Sequence, residues 1–510
     1  PSRGLGDVYK RQGSGSEEDH RQRGFCHGAR LPGAARGDKG FLAPCHGPDI
    51  SAAKGYKFLL NHRWQGAFSC YPCPMNIKDL IPHTLFRKAR EYSRKLWVRV
   101  VVMGLLAFVA LGMTQLFEPL VPKEVATRLT GEAADRLLQI IADAMLAVTI
   151  FSITIMVTVY RSTSAQFTPR AHRLIIQDRT TQNTLAVFIG AYVYALVAII
   201  MRELGIYVDE RSFVLFLTTV LVLAIIVIFL IRWVLHLQSF GSLIDTTRQI
   251  EAVTTSLFKE RLKTPCMGGH PLTGPTPENA RPIFAPESGY IKHIYPEALD
   301  QQARDHGVAI YLTRRIGDFV FVGEPLVMVT QQGSPQDAEH DWDSLEQKVF
   351  DTVQLGDLRT FDQDPRFGLR VLGEVASKAL SPGINDGGTA IDVITRIGRI
   401  LSYYSDEAKP GGKVNLPNLH IAPIPSDALI EDGFGALARD GASVVEVQMA
   451  LQEVLAGLMQ HPDPGLAASA RDAAENHLRR AFEEVPFGPD RARIWSAACK
   501  EVRAAVETPD

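Results

Sequence analysis

Four long apolar segments stand out in the pattern of hydrophobic and polar residues along the chain. They cover residues 98–117, 137–160, 184–201 and 213–235. Each has about the 20 residues that an α-helix needs to cross the hydrocarbon core of a bilayer. Asp143 is the one charged residue that lies well inside any of them. The pattern therefore predicts a four-helix transmembrane domain at residues 98–235, so the chain is expected to be an integral membrane protein with the lipid bilayer as a partner.

The charges between the apolar segments predict the side of the membrane on which each connection lies. Lys and Arg are in excess in the lead-in at 75–97, in the connection at 161–183 and after residue 235, whereas the other two connections are mixed. An excess of Lys and Arg marks cytoplasmic loops. We therefore expect a multi-pass protein whose N- and C-termini are both cytoplasmic.

The rest of the chain predicts a cytoplasmic α+β region, a small β module followed by a helical domain. Residues 236–264 continue as a helix. This helix is either a stalk with an oligomer seam or a helix that packs on its own soluble domain. Two threonines in its apolar stripe weaken a seam and favour the packed helix. A Gly/Pro-rich linker at 265–282 leads into a β-rich module at 283–332. Strands are expected at 283–294 and 308–313, with a helix beginning near Pro296. A helical domain at 341–460 and an Ala/Arg-rich, solvated helical cap at 461–510 follow.

The apolar spacing places the helices of this second half. They are expected at 342–355, 367–379, 389–404, 427–438, 444–459, 467–484 and 489–507, with a short strand at 419–424.

Composition excludes some classes of protein. The net charge of −2 gives no reason to expect a nucleic-acid partner. Cys70 and Cys73 have CxxC spacing, but they lie before Met75 in a segment without hydrophobic periodicity. We interpret residues 1–74 as a non-native or disordered leader and expect no metal site there. Because GxSxG, phosphate-loop and HExxH motifs are absent from the sequence, we expect no enzyme activity and no cofactor.

Residues 359–367 form the densest polar motif of the soluble part. Arg359 and Arg366 flank Asp362 and Asp364. One interpretation is a ligand site for a cation or phosphate, built from carboxylates and guanidinium groups. The other is a helix entrance that the aspartates cap, and Pro365 at the first helical position favours this second interpretation.

The turn at 381–386 raises the same question. Asn385 and Asp386 can present oxygens to a ligand, or they can end one helix and cap the next. If the two motifs meet in space, Asp362, Asp364, Asn385 and Asp386 would line one acidic pocket. We include these four residues with Arg359 and Arg366 as candidate ligand-binding residues for a small ligand or ion.

Three polar residues mark one face of the second apolar segment. Asp143, Thr154 and Thr158 fall near the same side of that helix. Carboxylates inside a membrane are costly and often functional. Asp143 lies close enough to the end of its segment to reach water, so an interfacial carboxylate is the alternative.

Several motifs resemble an uncharacterised bacterial family of predicted membrane proteins, domain of unknown function 2254. The motifs are QFTPR at 166–170, SGYI at 288–291, GDFV at 317–320 with GEPL at 323–326, RTFDQDPRFG at 359–368 and ALSPGIND at 379–386. The resemblance covers about residues 75–458. It implies a bacterial inner-membrane location and this architecture, and it implies no activity.

Two hypotheses for function follow. The first is an oligomeric channel-like or transport protein, a homo-oligomer whose cytoplasmic domain gates it, and the polar face of the second helix motivates it. The second is a membrane-anchored regulatory or scaffold protein whose cytoplasmic domain binds a ligand or partner. The sparse charge within the membrane favours this second hypothesis.

Overall fold

A computed structural model describes residues 131–205 apart from Gln177, residues 212–332, 341–409 and 413–506, and isolated positions between 97 and 112. The expected leader at 1–74 and its CxxC pair lie outside the described residues. The positions described between 97 and 112 are helical, but the rest of the first apolar segment is not described. A fourth crossing therefore stays a prediction.

Three described helices are long and apolar enough to cross a membrane. They are α1 (Gly131–Gln166), α3 (Arg179–Glu203) and α4 (Ser212–Leu237), and the candidate membrane spans within them are Glu132–Thr163, Arg179–Glu203 and Val214–Leu237. The short helix α2 (Pro169–Ile176) joins α1 to α3, and α5 (Leu243–Lys263) follows α4. These helices correspond to the second, third and fourth apolar segments of the sequence.

Small side chains hold the three helices together. Ala191, Ala195 and Ala198 of α3 are buried in a core that α1 and α4 share, and small residues let helix backbones approach closely. At one end of the bundle, Arg202 of α3 pairs with Asp135 of α1 at 2.5 Å.

The β module is larger than residues 283–332. A 3₁₀ turn at Pro265–Gly268 precedes it, and its elements are β1 (His270–Pro271), β2 (Arg281–Phe284), β3 (Gly289–Ile294), α6 (Pro296–Asp305), β4 (Val308–Leu312), β5 (Phe319–Val320), β6 (Pro325–Gln331), α7 (Trp342–Thr352), β7 (Val353–Gly356) and β8 (Leu419–Ile421). One sheet has the strand order β1-β8-β4-β6-β2 and the other β5-β3-β7. The expected linker thus contributes a strand.

Strand β8 enters the middle of the larger sheet from a distant part of the chain. It pairs in parallel with β1 through His270 and His420 and in parallel with β4 through Ile310 and Leu419. The helix expected at 342–355 ends at Thr352, because Val353 turns into the core and starts β7 against β3.

The helical part consists of α8 (Pro365–Ala379), α9 (Gly387–Leu401), α10 (Ser426–Ile430), a π-helical turn (Glu431–Gly435), α11 (Ala436–Asp440), α12 (Val445–Leu458), α13 (Pro464–Glu484), α14 (Gly488–Ala497) and α15 (Lys500–Ala505). All of its longer helices share one hydrophobic core. The expectation of a solvated cap at 461–510 is wrong, since Leu466, Leu478, Phe482 and Ile494 are buried in that core. Alanines between them let α13 lie close to its neighbours.

Two elements next to the membrane helices also belong to this core. Ile250 and Phe258 place α5 against α8 and α9, and Ala171 and Ile175 bury one face of α2 there. The helix after the last span therefore packs on its own domain and does not stand free as a stalk. Because α2 joins two spans, the extramembrane core connects directly to the membrane helices.

Candidate functional site

The motif at 359–367 is a capped helix entrance. Asp364 is the N-cap of α8, and its carboxylate accepts a hydrogen bond from the Phe367 N–H at 3.0 Å. Pro365 occupies the first turn, where no intrahelical partner is needed for its nitrogen. The capping interpretation is confirmed for Asp364. Asp362 is exposed and does not line the cavity described below.

A buried ion pair lies directly behind this entrance. The Nε of Arg359 donates a hydrogen bond to Oδ2 of Asp364 at 2.8 Å, and the Nη2 of Arg359 lies 2.8 Å from the same oxygen. Burial raises the pKa of Asp364 to about 6, and the charge and hydrogen bonds of Arg359 oppose that rise. Gly317, at φ +90°, passes so close that a Cβ there would overlap the Asp364 carboxylate. This close approach explains the glycine of the GDFV motif.

Arginines converge on an open cavity of about 520 Å³ in front of the pair. We call it the arginine cleft. Its lining comes from α2, the β module and the start of α8, and comprises Arg170, Arg173, Tyr290, Arg314, Gly317, Asp318, Phe319, Leu358, Arg359, Arg366, Phe367 and Arg370. Six arginines thus line this space, and Asp318 is the single acidic residue among the described residues of its lining.

Helical spacing brings these arginines together. Arg170 and Arg173 are three residues apart on α2, and Arg366 and Arg370 are four apart on α8. Residues at these separations lie on one face of a helix. The sequence carries this spacing, yet nothing in it indicates that the two faces meet. Arg170, Arg173, Arg314 and Arg370 were therefore not among the predicted site residues.

Four of the six arginines have a carboxylate partner. The pairs are Arg170 with Glu374 at 2.6 Å, Arg314 with Glu324 at 3.4 Å, Arg359 with Asp364 at 2.8 Å, and Arg366 with Asp432 at 2.6 Å. Within the described part of the chain, the side chains of Arg173 and Arg370 have no ion pair or hydrogen-bond partner. The cleft therefore holds two guanidinium groups whose charge no carboxylate of the described residues offsets.

The cleft arginines are suited to phosphate groups. Burial alone lowers the pKa of Arg366, but its hydrogen bond to Asp432 and the nearby Asp318 and Asp364 carboxylates raise the pKa above its ordinary value. The side chain therefore stays charged. Guanidinium groups bind phosphate and carboxylate oxygens in pairs through fixed N–H forks. The arrangement can hold a multiply charged anion.

The second predicted motif lies elsewhere. Asp386 caps α9 by accepting from the Thr389 N–H at 3.0 Å, and its own N–H donates to the carbonyl of Ala379, at the end of α8. Asp364 caps the opposite end of that 15-residue helix, so about 20 Å separates the two caps. The idea of one acidic pocket is wrong, because α8 holds the motifs apart. Asn385 is exposed in the turn, at φ 51°.

The turn at 381–386 instead approaches α2. Ser381 and Pro382 line an open groove of about 710 Å³ with Thr168 and Pro169, and Arg170 borders both this groove and the arginine cleft. Motifs from distant parts of the chain therefore meet around α2.

The polar residues of the membrane segment point away from the bundle core. Asp143, Thr154 and Thr158 are exposed on α1, and the two threonine hydroxyls donate to carbonyls one turn earlier. The described residues include no group of three or more His, Cys, Asp or Glu side chains that could hold a metal ion.

Comparison with known proteins confirms the family resemblance that the sequence motifs indicated. Residues 93–457 match the family described as predicted membrane protein (DUF2254). An uncharacterized protein of Mycobacterium bovis and one of Mycobacterium tuberculosis are each 27% identical to this chain over 374 residues, which cover 71% of this chain and 70% of theirs. No solved structure matches the chain.

Proposed function

This chain belongs to the DUF2254 family of predicted membrane proteins, and we propose that it is a membrane-anchored regulatory protein whose cytoplasmic domain binds a phosphate-bearing anion in the arginine cleft. The single observation that carries the proposal is the pair Arg173 and Arg370. Both face the cleft without a carboxylate partner among the described residues. An anion that lies between two such positive charges is attracted by both, so the cleft is suited to a ligand with two or more negative charges.

The position of α2 supports a regulatory role. This helix carries Arg170 and Arg173 on one side and buries Ala171 and Ile175 in the extramembrane core. It also lies between the spans of α1 and α3. An anion held between α2 and α8 would favour one arrangement of these helices, and a ligand shifts such an equilibrium by its difference in affinity for the two states.

The proposal is tested by titrating the full chain in detergent with inorganic pyrophosphate. A hydrogen bond to a charged group contributes about 1.5–3 kcal/mol, so the loss of two in Arg173→Gln with Arg370→Gln should weaken binding by at least about 100-fold. The control variant, Arg471→Gln with Arg480→Gln, removes two exposed charges from α13 and should bind as the wild type does. Equal pyrophosphate affinity in all three proteins would contradict the proposal.

A second candidate function, the oligomeric conduit, has one observation in its favour. Asp143, Thr154 and Thr158 lie on the side of α1 that is not buried against α3 or α4, so this side is available to another copy of the chain. Ion flux through liposomes that carry the protein, lost on Asp143→Ala, would support a conduit. A monomer in mild detergent would count against it.

A further inference from the structure

We propose that the anion of the arginine cleft is the headgroup of an anionic phospholipid, and that the apolar turn beside the cleft inserts into the bilayer interface. The proposal rests on the proposed anion site and names its ligand. Its first support is position along the chain: α2 lies between Thr163, where one candidate span ends, and Arg179, where the next begins. The arginines of α2 therefore lie at the level of the membrane surface.

The second support is a set of exposed apolar side chains that continues from the cleft wall. Tyr290 and Phe319 line the cleft, and their rings meet edge to face with centroids 5.0 Å apart. Phe319 contacts Phe321 in the same way, again at 5.0 Å. Phe321 is 60% exposed and Val322 is 62% exposed. Contiguous exposed apolar surface of this kind often marks a site of contact with a protein or a membrane.

The turn that presents these side chains is held rigidly. The N–H of Val322 donates to Ser288 Oγ at 2.9 Å, and the N–H of Phe321 donates to a Glu324 carboxylate oxygen at 3.2 Å. Gly323 closes the turn at φ +82°. The apolar tip is therefore formed before any contact with the membrane, and little conformational entropy is lost when it inserts.

The combination of charge and apolar surface selects the partner. Arg173 and Arg370 supply positive charge beside an apolar tip, and this pairing is typical of surfaces that lie in the headgroup region of anionic membranes. A soluble phosphate compound would use the arginines and leave Phe321 and Val322 in water. A headgroup in the cleft places its acyl chains beside the turn, so it accounts for both features.

The test places a bimane fluorophore on a cysteine introduced at Phe321 in the full chain and reconstitutes the protein in nanodiscs. The control label replaces Phe487, which is 61% exposed and lies outside the cleft. Nanodiscs contain brominated phosphatidylcholine either alone or with phosphatidylglycerol, since bromine on the acyl chains quenches only fluorophores that enter the bilayer. We expect strong quenching at 321 with phosphatidylglycerol, and little at 487 in either lipid.

The arginines provide the second arm. In the double variant Arg173→Gln with Arg370→Gln, quenching of the label at residue 321 should fall by most of its wild-type value in nanodiscs that contain phosphatidylglycerol. Equal quenching at 321 with and without phosphatidylglycerol would overturn the headgroup assignment. A label that stays in water, in a protein that still binds pyrophosphate through the two arginines, would overturn this inference and leave the anion site standing. Failure to bind either pyrophosphate or phosphatidylglycerol would remove both.

Discussion

Replacing Asp364 by asparagine separates the two contributions of this buried carboxylate. Asp364 is 2% exposed, caps α8 through the Phe367 N–H, and pairs with Arg359 through two hydrogen-bonding nitrogens. Asparagine is about as good an N-cap as aspartate, so Asp364→Asn keeps the cap. It removes the negative charge and leaves Arg359, whose side chain is 11% exposed, without its partner.

The expected loss of stability follows from that unpaired charge. Breaking a buried ion pair by removing one partner costs about 3–5 kcal/mol. Burial also raises the pKa of Asp364 to about 6, so desolvation of this carboxylate offsets part of its attraction to Arg359, and we expect a loss at the lower end of that range. The matched control is Asp386→Asn, which changes the N-cap of α9. Its carboxylate has no ion-pair partner among the described residues, so we expect a change below about 0.5 kcal/mol.

The measurement is urea unfolding of the full chain in detergent at pH 7.5, followed by circular dichroism and tryptophan fluorescence. Asp364→Asn should lower the free energy of unfolding far more than Asp386→Asn does. A double-mutant cycle with Arg359→Gln should give a coupling energy above about 1 kcal/mol, as contacting charged residues do. A loss under about 1 kcal/mol for Asp364→Asn would refute the buried pair as the reason for this motif.

Three further changes test the close approach at Gly317, the burial of His477 and the membrane topology. Gly317→Ala should lower the free energy of unfolding by at least about 1–2 kcal/mol in the same urea assay, because its φ is +90° and a Cβ would displace Asp364; a neutral effect would contradict the close approach. Burial lowers the pKa of His477 from its ordinary 6.5 to about 4, so the neutral histidine contributes on the order of 3 kcal/mol of stability above pH 6.5, which is lost as the pH falls towards 4. The free energy of unfolding of His477→Gln should therefore depend less on pH between 4 and 6.5, and an unchanged pH profile would refute the assignment. Single cysteines at Ser164 and Asp209 should label oppositely in intact cells, with Asp209 alone accessible from outside; equal labelling would overturn the predicted topology.

The features that the sequence predicted are those encoded over short distances along the chain. Apolar runs of about 20 residues identify membrane helices without any knowledge of their packing. Asp364 followed by Pro365 and Asp386 followed by Thr389 mark helix starts through contacts within three residues. Local chemistry of this kind can be recognised in a single sequence.

The features that were missed depend on distant contacts. The sequence predicted a short strand at 419–424, and β8 (Leu419–Ile421) confirms it, but its place between β1 and β4 was missed because it rests on pairing with strands from a distant part of the chain. The arginine cleft brings together Arg173, Arg314 and Arg370, and more than a hundred residues of sequence lie between Arg173 and the other two. No local pattern encodes such a meeting. The prediction of a solvated cap at 461–510 was wrong because alanine contributes little to a hydrophobic pattern, although it lets helices pack closely in the core.

The most direct test of phospholipid binding in the arginine cleft is a cryo-electron microscopy map of the full chain in nanodiscs that contain phosphatidylglycerol, compared with the same map for the double variant Arg173→Gln with Arg370→Gln. We predict headgroup density within hydrogen-bonding distance of both arginines in the wild type, and none there in the variant. A wild-type cleft without density, or the same density in both proteins, would contradict this prediction.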